Sequence, residues 1–182
     1  MSRITEKRSF SIPPCSVDKD LVKKLGQLLE KEYESYYMEI FEETKKKLQE
    51  GNIYKKYPEK LTEDVVKADM YPPSLTFSLY ANSRNIESAS VTGFVEAEWP
   101  DDASEISMKL GSPLYAHNGR TINVSIYLAR CRMKDSEVEV SGSDSTWVNG
   151  IAVKLEKVFE GKRLSYHLLV THSSIRWALS LI

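Results

Sequence analysis

The chain has 182 residues, 41% of them apolar and 28% charged, with 25 basic against 26 acidic side chains and a net charge of −1. That composition excludes a disordered chain, a collagen and a low-complexity protein, and a chain of this size buries enough surface to need no disulfide or metal for its core. Near-neutrality excludes a strong global field toward nucleic acid or an anionic membrane and leaves only local patches open, while two cysteines, Cys15 and Cys131, are too few for a secreted disulfide framework.

The first eight residues are polar and charged, with no apolar leader segment. Residues 9–12 read as a short strand stopped by Pro13 and Pro14. Ser16 is then the expected N-cap of a helix, with Asp18 and Asp20 in its first turn, where negative charge suits the dipole. Leu21, Leu25, Leu28, Leu29, Tyr33, Tyr36, Tyr37, Ile40, Phe41 and Leu48 recur at three- and four-residue steps and predict one long helix over residues 17–50. Lys45, Lys46 and Lys47 lie near its end, and Gly51 is the expected C′ residue. Such a helix is about 50 Å long, more than the roughly 40 Å width of a compact domain of this size. It is therefore expected either to break, with Gly26 as the candidate, or to project from the body.

Residues 52–71 form a connector rich in lysine and tyrosine, with a short helix capped by Thr62 and running to Asp69, closed by Pro72 and Pro73. The period then changes to two. Leu75, Phe77, Leu79 and Ala81 alternate with polar residues, as do Val91, Val95, Ala97 and Trp99, then Ile106, Met108 and Leu110, then Ile122, Val124, Ile126 and Leu128, then Val138 and Val140. Five such runs over residues 74–142 predict an antiparallel sheet with one wet face. Turn signals fall at residues 82–85, 100–102, 117–119 and 134–136.

A second helix is expected over residues 144–161, capped by Asp144 or Ser145, with Val148, Ile151, Ala152, Leu155, Val158 and Phe159 as its apolar stripe and Gly161 as its stop. The last segment, residues 164–182, holds Arg176 as its one full charge. It reads either as a closing β-segment or as the approach to a membrane in a longer protein. Helices and strands are segregated, so the expected fold is a single α+β domain. It holds an antiparallel sheet of about five to seven strands, with one long N-terminal helix and one C-terminal helix on one face.

No motif names a reaction. His167 and His172 are half of a zinc ligand set and lack the other half. Cys131 has Arg130 and Arg132 beside it, but neighbours along a strand point to opposite faces. Gly161-Lys162-Arg163 lacks the glycines and hydroxyl of a phosphate loop and reads as a helix end. Asp101, Asp102 and Glu105 read as a solvated turn, and Asn123-Val124-Ser125 is a sequon on an expected strand. Tyr33, Tyr36, Tyr37, Tyr54, Tyr57 and Tyr71 gather with Lys45–Lys47, Lys55 and Lys56 in the way of a single-strand binder. Glu30, Glu32, Glu34, Glu39, Glu42 and Glu43 on the same helix offset that charge.

The stretch Ser141-Gly142-Ser143-Asp144-Ser145-Thr146-Trp147-Val148, followed by Leu155 and Gly161-Lys162-Arg163, resembles soluble domains of uncharacterised prokaryotic proteins. In these a β-rich region ends in a D-x-x-W-V helix start, then a basic helix end and apolar segments. The resemblance covers roughly residues 75–180; it implies a membrane-proximal domain and transfers no catalytic residue.

The expectation is a non-enzymatic binding or interaction module with no cofactor and no metal, cytoplasmic or membrane-associated. Its partner is a protein or a second copy through the long helix, with membrane proximity at the C-terminal end and nucleic acid disfavoured. The alternatives are an enzyme assembled from dispersed residues such as Asp101, Asp102, His117 and Cys131, or a single-strand binder using the wet sheet face or the connector.

Overall fold

The computed structural model describes residues 5–12, 17–111, 119–128 and 135–162. Six strands, β1 (Glu6–Ser11), β2 (Ser74–Ala81), β3 (Ile86–Ser88), β4 (Ala103–Gly111), β5 (Thr121–Tyr127) and β6 (Glu137–Gly142), form one antiparallel sheet in the order β1-β6-β5-β4-β2-β3. The period-two pattern places the apolar set on one face in matched rows. Phe77, Met108, Val124 and Val138 lie side by side across β2, β4, β5 and β6, and Leu79, Ile106 and Ile126 form the next row. All seven are buried, since a residue opposite another on neighbouring strands shares its face.

Two helices cover that face. Leu21, Val22, Leu25 and Leu29 of α1 (Lys19–Glu50) and Val148, Ile151, Ala152, Leu155 and Phe159 of α5 (Ser145–Glu160) enter the same buried cluster as the strand residues. The α+β class, the antiparallel sheet and both helices therefore stand as expected. The caps differ in part. Asp18, not Ser16, caps α1, its Oδ1 accepting from Leu21 N at 2.7 Å. Asp144 caps α5, its Oδ1 accepting from Thr146 N at 2.8 Å and Trp147 N at 3.2 Å. Gly51 and Gly161 do end the helices, but with φ of −69° and −66°, not in the left-handed conformation. At Gly51 the chain turns straight into α2 (Asn52–Lys56).

Gly26 does not break α1, which runs unbroken for 32 residues, about 48 Å. It is instead a contact point. A Cβ there would overlap Val91 Cγ2 and lie 2.7 Å from Val91 Cβ and 3.2 Å from Phe77 Cε1. Only a hydrogen fits where α1 meets α4 (Val91–Glu96).

The run at residues 91–99 is the main correction: it is not a strand, and its first six residues form helix α4. The short strand β3, just before it, was not singled out by alternation. Val91 and Val95, four apart, fit a helical stripe as well as an alternation, and Phe94, on the other side of the alternation, completes the i, i+3, i+4 spacing. Ser90 Oγ accepts from Gly93 N at 3.2 Å, and Glu30 of α1 reaches across to accept from Val91 N at 2.8 Å. Phe94 then buries completely, and Trp99 Nε1 donates to its carbonyl at 3.0 Å. Glu105 lies within β4 and not in the turn beside Asp101 and Asp102.

The connector holds more order than expected. It forms α2, a 3-10 turn (Pro58–Lys60) and α3 (Glu63–Asp69). Thr62 occupies the N-cap position of α3 without a side-chain hydrogen bond. Val66 and Met70 from this region bury against Phe41, with Tyr37, Ile40, Leu48 and Leu61 around them. The distal half of α1 thus leaves the sheet and builds a small separate core with α3. We call this unit, residues 36–71, the arm. Helix α1 accommodates its excess length without a break, its distal half packing in a cluster separate from the main core.

Candidate interaction surfaces

The sheet face away from α1 and α5 is polar throughout. One row across it reads Ser11, Glu137, Ser125, Ser107, Ser78 and Glu87, and the next reads Ser9, Glu139, Asn123, Lys109 and Thr76. Tyr127, Glu105 and Tyr80 form a third. No aliphatic side chain interrupts these rows. Ser78 and Ser107 are buried at 5% and 3% exposure. Lys7 lies on this face too and binds Glu139 at 2.8 Å. Four glutamates against two lysines make the face mildly acidic, which disfavours a phosphate backbone. The sequon at Asn123 sits in β5 between β4 and β6, within a row of this polar face.

The arm has the opposite character. Met38, Ile53, Tyr57 and Tyr71 are exposed at 54%, 66%, 39% and 66%, and Val153 on α5 is the remaining exposed large apolar side chain among the described residues. Lys56 and Lys60 Nζ lie 5.3 and 4.6 Å from the centre of the Tyr57 ring. The tyrosines singled out in the sequence divide: Tyr36 is buried, Tyr33 joins the main core, Tyr37 joins the arm's core, and Tyr57 and Tyr71 face solvent.

A cation fixes the root of the arm. Arg120 Nη1 binds Glu39 Oε2 at 2.8 Å, and its guanidinium carbon lies 5.2 Å from the centres of both the Tyr36 and Trp147 rings. Trp147 Nε1 donates to Glu32 Oε2 at 3.2 Å, and Lys154 Nζ reaches Glu32 Oε1 at 3.0 Å. Arg120 thereby joins α1, α5 and the start of β5. A planar guanidinium stacks on two rings while holding a carboxylate, which lysine does less well. Nothing in the periodicity marked Arg120, because its partners are far away in sequence.

The dispersed catalytic set is not brought together among the described residues: His117 and Cys131 lie outside them, as do Cys15, His167 and His172. Asp102 is engaged in a turn, accepting from Ser83 Oγ at 2.7 Å and Ser83 N at 2.8 Å. The Ser83 hydroxyl is the main reason its carboxyl titrates below the usual range. No group of three His, Cys, Asp or Glu side chains among the described residues is arranged to hold a metal ion.

Lys162 closes the other end of α1. Its Nζ lies 2.9 Å from Asp18 Oδ2 and 3.1 Å from Asp20 Oδ2. The hydrogen bond from Lys162 lowers the Asp18 carboxyl, bonds from Lys24 and then Lys162 lower Asp20, and both carboxylates raise Lys162. The carboxylates are depressed on folding, so their contribution is present above the ordinary 3.8 and is lost as pH falls through the folded values. The lysine is raised, so its contribution is present below 10.5 and is lost as pH climbs through the folded value. Lys162→Met is accordingly expected to lower the urea midpoint modestly at neutral pH, the difference closing at both extremes. A difference that stays constant from acid to alkaline pH would show that the Lys162–Asp18–Asp20 pairs do not contribute to stability.

Fold and surfaces together define a two-layer α+β protein with one helix-covered sheet face, one polar face and a projecting helical arm. Comparison with protein-family models, curated proteins and solved structures gives no match to this chain. No helix among the described residues is long and apolar enough to cross a membrane.

Proposed function

We propose that this chain is a non-enzymatic interaction module whose contact surface is the arm. The observation that carries this reading is the placement of exposed apolar side chains. Four of the five large ones among the described residues, Met38, Ile53, Tyr57 and Tyr71, lie on the part of the molecule that leaves the sheet. A helix that serves only to cover a sheet has no physical reason to outrun it and order three further helical segments around its end. Exposed Met and Tyr beside charged residues are the composition of a binding surface, with Met adaptable in shape and Tyr presenting a broad ring at low entropic cost.

Self-association is the form of this activity that the chain alone can report. The triple variant Met38→Ser, Ile53→Ser, Tyr71→Ser is expected to keep the parent's far-UV spectrum and to lose concentration-dependent growth in light-scattering mass. A parent that scatters as a monomer at high micromolar concentration contradicts the reading, as does a triple variant that associates like the parent.

Membrane association belongs to the same proposal and rests on the low charge of residues 164–182, where Arg176 is the one full charge. Flotation of the full chain with vesicles supports it, and failure to float with either neutral or anionic vesicles removes it.

A further inference from the structure

We infer that the partner of the arm is a second copy of this chain, paired antiparallel through one solvent-facing stripe of α1. This inference rests on the reading of the arm as a contact surface and specifies its occupant and register.

At 3.6 residues per turn, Met38, Glu42, Lys45 and Gln49 fall on one stripe of the helix, at steps of four, three and four. Phe41 and Leu48 point instead to the arm's own core. The stripe faces solvent: Met38 is 54% exposed, and the side chains of Glu42 and Lys45 are 62% and 42% exposed. Glu42 and Lys45 approach each other only to 4.0 Å within the chain. An exposed pair at that distance contributes little, so both charges are free to find better partners.

Their order along the helix is polarised. Glu39, Glu42 and Glu43 come first, and Lys45, Lys46 and Lys47 follow. Two copies side by side in parallel would set acid against acid and base against base. Antiparallel copies related by a two-fold axis set each acidic block against the partner's basic block, the self-complementary arrangement that a closed dimer needs. With the axis between Glu43 and Thr44, Glu42 of each copy faces Lys45 of the other, and Met38 faces Gln49. The register that would stack Met38 on Met38 sets Glu34 against Glu42 and Lys31 against Lys45, which like-charge repulsion rejects. The stripe is short, so the contact belongs to the small, transient class of interface, and salt weakens it.

The test is sedimentation velocity on the full chain at low and high salt, with the single reversals Glu42→Lys and Lys45→Glu. Both sites are exposed, and thermal melts confirm that the variants fold. The parent is expected to dimerise at low salt and less at high salt. Each reversal alone is expected to weaken dimerisation about tenfold, because it turns two attractive pairs into two repulsive ones. An equimolar mixture of the two variants is expected to dimerise again, since a mixed pair has opposite charges at both contacts. A parent that dimerises while ignoring both reversals, or a mixture that does no better than either variant alone, overturns the antiparallel register. In that case loss of the dimer in the Met38/Ile53/Tyr71 variant still supports the arm. A parent that stays monomeric at low salt overturns both.

Discussion

Phe77→Ala is expected to cost about 3–5 kcal/mol in urea unfolding, the range for removing a fully buried aromatic ring. That is a large part of the 5–15 kcal/mol that holds an ordinary domain together. Phe77 has no exposed surface and sits in β2, in the row with Met108, Val124 and Val138. Its ring lies 6.0 Å from that of Phe94 and against the backbone of α1 at Gly26. One side chain therefore carries the junction of sheet, α1 and α4, and neither helix can move inward without losing its own contacts. The midpoint should fall with little change in slope. A loss below about 1 kcal/mol would show that the site collapses freely around the gap and that this junction is not the packed point described here.

Gly26→Ala is expected to destabilise by about 1–3 kcal/mol through overpacking. The sign is informative, because the same change in an exposed helix would stabilise by about 1 kcal/mol. Here the new methyl would meet Val91, whose own Cβ would be only 2.7 Å away. Val91 is held by its burial and by the cap that Glu30 supplies to its N–H. Val91→Ala removes the nearer of the two atoms in conflict, Cγ2, and leaves Cβ, so the clash is reduced and not abolished. The double variant is therefore expected to be more stable than the sum of the two single losses, a favourable coupling in a double-mutant cycle. A Gly26→Ala protein as stable as the parent would mean that α1 and α4 do not meet as closely as the packing requires.

These two sites also mark how far the sequence could be read. The sheet was legible because its face is decided residue by residue: Phe77, Leu79, Ile106, Met108, Ile122, Val124, Ile126, Val138 and Val140 alternate in the chain and are all buried. The stripes of α1 and α5 were legible for the same reason, with period 3.6 in place of 2. Residues 91–99 were misread because Val91 and Val95 suit either period, while Phe94, on the other side of the alternation, suits only the helical one; the choice was made by Ser90 and by Glu30, which lies 61 residues from Val91. Gly26 stood as a candidate break, beside the alternative of a projecting helix, because sequence shows the absence of a side chain and not the neighbour that requires it. The arm was half visible: its tyrosines and lysines stood out, but the core formed by Phe41, Val66 and Met70 depends on a chain reversal that no period encodes. Arg120 was invisible, as its two rings and its carboxylate come from separate elements.

Amide hydrogen exchange at low and high protein concentration reads out whether the molecule makes contact through the arm. Exchange in an exposed helix slows where a partner covers it and suppresses local opening. Added protection is expected at high concentration over residues 38–57, with the polar rows of the sheet unchanged. Added protection confined to β1, the longer of the two edge strands, or no concentration dependence anywhere in the chain, would contradict it.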